Sequence, residues 1–170
     1  CFVGHRQQHY AQRLKALSTL DADLGVWGPG WPTNTATGWE ARSVRGDGLW
    51  GLAYPDTMAA AKIGLGFLSK RVPEQATTRS VEIPATGTML LAERSPHHAE
   101  LFDEGVEADF FADDDEMLDK ARFYLTHDAA RQKIADAGLM RCRRSHYDMF
   151  SQLRSIMTRL AHCLCIRKPS

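Results

Sequence analysis

Residues 62–93, KIGLGFLSKRVPEQATTRSVEIPATGTMLLAE, decide the fold class of this chain. The stretch opens with an apolar run, Lys62 to Leu68, in which Gly64 and Gly66 stand where bulkier side chains would be expected. It closes with a second run, Met89 to Ala92, introduced by Gly87. Short apolar runs bounded by turn residues mark strands covered on both faces, the condition of a parallel sheet. The segment between them reads as a polar loop and a short helix from about Thr78 to Ala85. Strand, loop, helix and strand in that order place Glu74, Thr77, Thr78, Arg79 and Glu82 beyond the carboxyl end of the first strand. That is where an open α/β sheet presents its binding crevice.

These residue types suit an anionic ligand with hydroxyls. Thr77 or Thr78 is a natural N-cap, and a helix starting there aims free N–H groups and its positive dipole end at the crevice. Arg79 adds a planar fork of donors matched to phosphate. Glu82 lies four residues after Thr78 and three after Arg79, so all three share a helix face. Its carboxylate can accept from the vicinal hydroxyls of a ribose. The same residues also allow a plainer reading, a surface Arg79–Glu82 pair that stabilises the helix by a few tenths of a kcal/mol.

Composition bounds the rest. With 170 residues, 44% hydrophobic and 25% charged, the chain is an ordinary globule able to bury a sizeable core. No apolar run approaches the roughly 18 residues that span a bilayer. Cys1 to Gly4 is too short for a signal-peptide core and lacks a basic leader, and the absence of an initial Met points to a piece of a longer protein. Cys1, Cys142, Cys163 and Cys165 form no regular framework, and Cys163–Cys165 without a second pair is a weak metal signal. No metal and a reducing, cytoplasmic setting are expected. Formal net charge is zero but segregated: residues 93–119 are acidic and the chain from Arg141 onward is basic. No overall nucleic-acid footprint results. Asp113 to Asp115 lack the glycine and distant glutamate of a calcium loop and read as a helix cap.

Read in order, Phe2 to Gly4 ends a strand and turns into a helix spanning His5 to Leu20. Gly4, His5 and Arg6 then occupy the first βα turn, with His5 and Arg6 opening the helix within reach of a diphosphate. Leu24 to Trp27 reads as a strand, Trp31 to Gly48 as a long loop, Leu49 to Leu52 as a short strand and Tyr54 to Ala61 as a helix. Trp31 and Trp39 suit core covering or a partner contact better than base stacking. After Ala92 come a helix from His97 to Asp103, a strand from Val106 to Phe111, a helix after Asp115, and a further helix from Ala129 to Met140 broken near Gly138. Adjacent on a helix, His97 and His98 diverge and read as surface residues. The alternation predicts a doubly wound, mostly parallel α/β sheet of about five or six strands.

TTRSVEIPATGTMLLAERSPHHAELFDEGVEADFF, followed by IADAGLMRCRRSHYDMF, resembles the carboxy-terminal half of the spore-maturation (CgeB-type) glycosyltransferase-like proteins, which have the two-Rossmann-domain GT-B architecture. The likeness runs from FVGHR near the start to the helix around Tyr147 and is densest over residues 77–111. It implies a nucleotide-sugar-binding domain, metal-independent and retaining, with no cofactor beyond its donor. Its carboxylate pair, separated by seven intervening residues in related retaining enzymes, falls on Glu74, facing the donor sugar, and Glu82, on the nucleotide ribose. The family commonly carries Asp at the first position. The implied set is Glu74 and Arg79 for catalysis, and Gly4, His5, Arg6, Thr77, Thr78, Arg79, Glu82 and Gly87 for the nucleotide sugar.

On this reading residues 1–146 form the donor-binding domain of a glycosyltransferase, and 147–170 form an amphipathic helix and tail. An amino-terminal Rossmann domain of the same chain is the expected partner, incomplete catalysis by this fragment is expected, and the acceptor stays open. The alternatives are a non-catalytic nucleotide-binding module for regulation or assembly, and a flavodoxin-like signalling domain. The signalling domain is disfavoured because neither central strand ends on a phosphate-accepting Asp. In the tail, Phe150, Leu153, Met157, Leu160 and Leu164 recur at helical spacing with arginines outside. That helix has three possible seats: a surface outside this stretch, this domain's own sheet, or an anionic membrane surface.

Overall fold

The computed structural model describes residues 1–166, with side-chain surroundings through His162; the Cys163–Cys165 pair, Leu164, Arg167 and Lys168 lie outside what is described. Among the described residues, six short strands all run parallel. β1 (Phe2–Val3), β2 (Val26–Trp27) and β3 (Val44–Gly46) form one ladder. β4 (Ile63–Gly66), β5 (Met89–Glu93) and β6 (Asp109–Phe111) form the other, with Ile63 opposite Met89 and Leu91 opposite Asp109. Cys1 joins them: its nitrogen donates to the Ile63 carbonyl, and the Leu65 N–H donates to the Cys1 carbonyl at 2.9 Å. The resulting order, β3-β2-β1-β4-β5-β6, is that of a Rossmann sheet, and the direction of winding reverses between β1 and β4.

Every residue of β4 and of β5 is buried, and the pleat divides them between two cores. Ile63, Leu65, Met89 and Leu91 face a cluster with Tyr10 and Leu14 of α1 (Gln8–Leu17) and Met117 and Tyr124 of α6 (Asp114–Thr126). Leu90 and Ala92 face the other way, toward Met58 of α3 (Ala53–Ala60), Ile83 of α4 (Arg79–Ala85) and Phe102 after α5 (Pro96–Leu101). α7 (Asp128–Arg144) covers that second face with Cys142 and reaches the first cluster with Ile134. Both faces of the central strands are thus dry, as their unbroken apolar runs require. Gly64 sets the close approach of α4 to the sheet, since a Cβ there would lie 2.5 Å from Ile83 Cγ2.

Several expectations are corrected. The stretch 31–48 is not a plain loop: it contains α2 (Gly38–Ser43) and β3, which pairs with β2. Leu49 to Leu52 is a turn, not a strand. These elements are too short to show a period; Trp39 instead anchors α2 by packing edge-on against buried Trp31. α7 runs through Gly138 without a break, because Gly138 is a contact point, where a Cβ would meet the Glu107 carbonyl oxygen at 2.4 Å. β6 begins only at Asp109, and Val106 is exposed. His98 is fully buried rather than on the surface.

The described side chains of α8 (Met149–Ile166), those through His162, take no part in either core. Met149, Phe150, Leu153, Ile156, Met157 and Leu160 are 52–82% exposed. Of its described side chains, Ser151 alone is half-buried.

Candidate functional site at the carboxyl edge

The switch between β1 and β4 opens toward the loops that follow the strands: residues 4–7 after β1, 67–78 after β4, and 94–95 after β5. Glu93, at the end of β5 and 5% exposed, organises this edge. Its carboxylate accepts the Leu68 N–H at 2.8 Å, pairs with Arg13 Nη1 of α1 at 2.8 Å, and receives Lys70 Nζ. Burial alone would raise the Glu93 carboxyl, but Lys70, the Leu68 amide and Arg13 together hold it below the usual range. One buried carboxylate therefore ties the loop after β4 to both β5 and α1. That loop is closed on itself by Glu74, whose Oε2 accepts the Ser69 N–H at 2.6 Å.

The entry into α4 is held from beneath. Ser80 Oγ accepts the Thr77 N–H at 3.0 Å and lies 2.7 Å from His98 Nε2, while His98 Nδ1 lies 2.7 Å from the Glu93 carbonyl. A carbonyl can only accept, so Nδ1 carries the proton, and Ser80 donates its hydroxyl hydrogen to the bare Nε2. Burial lowers the His98 pKa, which agrees with a neutral ring stacked on Phe110. Neither threonine side chain caps the helix, contrary to expectation. Thr78 already has helical angles, and Ser80, two residues on, satisfies the turn instead.

Arg79 projects from this first turn, half-buried, with its Nε atom shielded from water and without a hydrogen-bond partner among the described residues. It makes no ion pair with Glu82 among the described residues, so the surface-pair reading of these two is not what the fold builds. Its charge is felt on two sides. On one, buried Tyr10 of α1 has its hydroxyl pushed up to about 12 by burial, then by Glu74 and Glu93, with Arg79 opposing. On the other, Tyr54 of α3 is raised well above the usual range by burial first and then by the Glu82 carboxylate, with Arg79 again opposing. The Tyr54 hydroxyl is buried near Glu82 yet outside hydrogen-bond geometry. Glu74, Arg79 and Glu82 are therefore one neighbourhood. Tyr10 and Tyr54, which the sequence reading assigned to no site, complete it; only the fold brings them there, from positions 20 or more residues earlier in the chain.

The remaining expected residues are placed less uniformly. Gly4 lies buried beneath the crevice, its N–H donating to the Trp27 carbonyl at 2.8 Å and its carbonyl accepting from Trp31 Nε1 at 2.9 Å. It has no free backbone donor to offer. His5 and Arg6 are exposed in the loop and do not open α1, which starts at Gln8. The Arg6 guanidinium stands over the Trp31 ring and 3.4 Å from Glu40. Gly87 is displaced altogether: with φ +79 it turns the chain out of the last turn of α4 and into β5, at the amino edge of the sheet. Its position there answers a turn requirement, and it does not touch the crevice. A concavity of about 750 Å³ also lies at that far edge, lined by residues such as Leu17, Leu24, Ala60, Ile63 and Leu125, none of them an expected site residue. Among the described residues no group of three or more His, Cys, Asp or Glu side chains is placed to hold a metal ion.

A Rossmann-like α/β domain with an arginine and two carboxylates gathered at its switch point defines the class of this molecule. The sequence matches the glycosyl transferase-like family over residues 6–157, and the chain belongs to that family. The fold is similar to HepE from Anabaena, solved in complex with UDP-glucose, with a TM-score of 0.72 at 20% identity over 95% of this chain and 48% of that one. HepE solved with UDP and glucose gives 0.70 at 19% identity over the same shares. A glycosyltransferase from Rickettsia africae gives 0.68 at 10% identity over 96% of this chain and 47% of that one. This chain thus spans about half the length of these structures. Comparison with curated proteins yields no significant match. No helix among the described residues is long and apolar enough to cross a membrane.

Proposed function

We propose that this domain is the donor-binding half of a nucleotide-sugar-dependent glycosyltransferase of the CgeB-type group, with the nucleotide diphosphate sugar seated at the carboxyl edge between β1 and β4. The observation that carries this reading is the shielded Arg79 Nε, without a hydrogen-bond partner among the described residues, with the Glu82 carboxylate and the buried Tyr54 hydroxyl beside it. Buried polar groups are rarely left without partners, and an anionic ligand bearing hydroxyls supplies them. Arg79 takes the diphosphate, aided by His5 and Arg6 from the first βα turn, and Glu82 with Tyr54 takes the ribose. Thr77 and Thr78 shape the loop around the phosphates, and Glu74 faces the donor sugar.

In transfer, the bond between the sugar and the diphosphate weakens and negative charge gathers on the departing nucleotide. A guanidinium already fixed at that place stabilises the charge without reorganising. The family likeness supports metal-independent transfer with retention, an upstream Rossmann half that supplies the acceptor side, and a cytoplasmic setting. The HepE complexes, one with UDP-glucose and one with UDP and glucose, support a uridine nucleotide as the first ligand to try.

Calorimetric titration with a panel of nucleoside diphosphates and nucleotide sugars tests the reading. Saturable binding of at least one, weakened in Arg79→Lys and Glu82→Gln, is expected. Binding of none would remove it.

A further inference from the structure

We infer, building on the donor-binding reading of this edge, that Gln7 and Ser69 read the hydroxyls of the donor's sugar, and that this sugar is neutral rather than acidic. The two side chains are 62 residues apart in the chain and meet across the switch between β1 and β4. Gln7 Nε2 and Ser69 Oγ lie 3.4 Å apart, and so do Ser69 Oγ and Gln7 Oε1. A third contact of 3.4 Å joins Gln7 Nε2 to the hydroxyl of buried Tyr10.

The frame around this pair is fixed from both sides. On one, His9 Nε2 lies 3.2 Å from the Leu68 carbonyl, and the Tyr10 ring packs against Phe2 and Phe67. On the other, the Leu68 N–H is held by Glu93 and the Ser69 N–H by Glu74. The polar side chains are engaged far more loosely. Gln7 directly precedes α1, yet its carboxamide caps nothing, and its three contacts all exceed the ordinary range of about 2.7–3.2 Å. The Tyr10 hydroxyl accepts from Gln7, but its own hydrogen goes to no acceptor among the described residues. Glu74 Oε1 likewise accepts nothing among them, since only Oε2 is used by Ser69. Polar groups with bonding capacity to spare, set on a rigid frame, can engage a ligand at little cost in order. Long hydrogen bonds of this kind in a cleft tighten in the complex.

Chemistry identifies the ligand. A carboxamide, an aliphatic hydroxyl and a phenol each donate and accept, and Glu74 beside Ser69 adds an acceptor. Vicinal sugar hydroxyls call for that mixture. A phosphate offers acceptors alone and would face the carboxylates of Glu74 and Glu93, so the diphosphate stays with Arg79. Tyr10 feels the charges of both Glu74 and Arg79, which sets the sugar site beside the anion site, as a nucleotide sugar requires. An acidic sugar fits poorly, because its carboxylate would stand against Glu74. Of the two cations in the loop, Lys70 is engaged by Glu93 and Arg71 is exposed.

Titration calorimetry of the 170-residue chain with UDP and UDP-glucose, and with GDP and GDP-mannose, measures what the sugar adds to affinity. For the nucleotide that binds, the sugar conjugate should bind more tightly than the free diphosphate. Gln7→Ala and Ser69→Ala should each weaken the conjugate about three- to tenfold. Both should bind the free diphosphate like the parent, which also shows that they are folded. The matching uronate, UDP-glucuronate or GDP-mannuronate, should bind more weakly than the neutral conjugate. A sugar contribution unchanged in both variants, or absent in the parent, would overturn the inference, as would a uronate bound as tightly as the neutral sugar. Equal losses for diphosphate and conjugate would also overturn it, by assigning the pair to the phosphate site. Binding of neither UDP nor GDP would instead remove the donor reading itself, and the inference with it.

Discussion

His98 Nε2 lies 2.7 Å from Ser80 Oγ, so a fully buried histidine of α5 supports the first turn of α4, from which Arg79 projects. The contact is the second link of a chain running from the Thr77 amide through Ser80 and the imidazole to the Glu93 carbonyl. Each group in it has one role open to it: the amide donates, the hydroxyl accepts and donates, the ring accepts and donates, and the carbonyl accepts. The carboxyl edge is therefore held by a polar rod fixed within the second core, and Arg79 is positioned by residues that never face the crevice.

Ser80→Ala breaks that rod at its middle. The Thr77 amide and the His98 ring lose their partner together, and a loss of about 1–3 kcal/mol in urea unfolding is expected. Nucleotide binding should weaken too, because the loop carrying Thr77 and Thr78 is released. A variant with parental stability would show that water replaces the hydroxyl.

His98 also carries a pH signature. Burial lowers its folded-state pKa, so between the unfolded value near 6.5 and that lower value the unfolded chain binds the extra proton. Stability therefore decreases as pH falls below 6.5 and is unaffected by this group above it. His98→Asn should be less stable than the parent at pH 7.5, and the difference should shrink toward pH 5. Unfolding curves for both proteins across that range check the sign; a constant difference would show that folding leaves the His98 pKa unchanged.

Glu93→Gln leaves Arg13, whose side chain is 12% exposed, without its main counter-charge and loosens the loop at Leu68. Asp114 remains as a second partner at 2.9 Å but is itself half in water. A loss of about 3 kcal/mol is expected by chemical denaturation. If the loss is below about 1 kcal/mol, the pair behaves as a surface contact.

Gly64→Ala places a methyl group against Ile83, which is 1% exposed and cannot yield freely. A cost of about 1–3 kcal/mol is expected from overpacking. Because α4 carries Arg79 and Glu82, the same change should reduce nucleotide affinity. Lowered stability with unchanged affinity would mean that Ile83 repacks without moving the helix.

At the crevice itself, Arg79→Lys keeps the charge but loses the planar pair of donors, and Glu82→Gln replaces an ionised acceptor with a neutral one. Each should weaken nucleotide binding by about 1–3 kcal/mol by titration calorimetry. Tyr54→Phe should have a smaller effect in the same direction while leaving the fold intact, since among the described residues its hydroxyl has only the Glu82 carboxylate beside it. Full affinity in all three would move the ligand to His5 and Arg6.

Local pattern alone determined the class of fold. The unbroken apolar runs at Lys62 to Leu68 and Met89 to Ala92 require strands covered on both sides, and their alternation with helices dictates a parallel sheet whose crevice lies at the strand ends. The grouping of Glu74, Arg79 and Glu82 was legible for the same reason, being local to one loop and one helix turn. Short elements escaped. α2 has six residues and β3 three, and neither length can display a period above the noise of composition.

Tertiary structure decided everything that depends on residues distant in the chain. Tyr10 and Tyr54 join this neighbourhood because α1 packs in one core with Ile63 and Leu65 of β4 and α3 packs against α4, a fact about layers that no spacing encodes. The adjacent His97 and His98 look alike as letters, yet one is exposed and the other buried, because α5 presents only the second to Phe110 and Ser80. Gly4 and Gly87 illustrate the limit from the other side. A glycine in a turn is visible in a sequence, but whether it frees an amide for a ligand or simply turns the chain depends on what packs against it. For Gly4 that is the Trp27 carbonyl and the Trp31 indole, and for Gly87 it is the closing turn of α4.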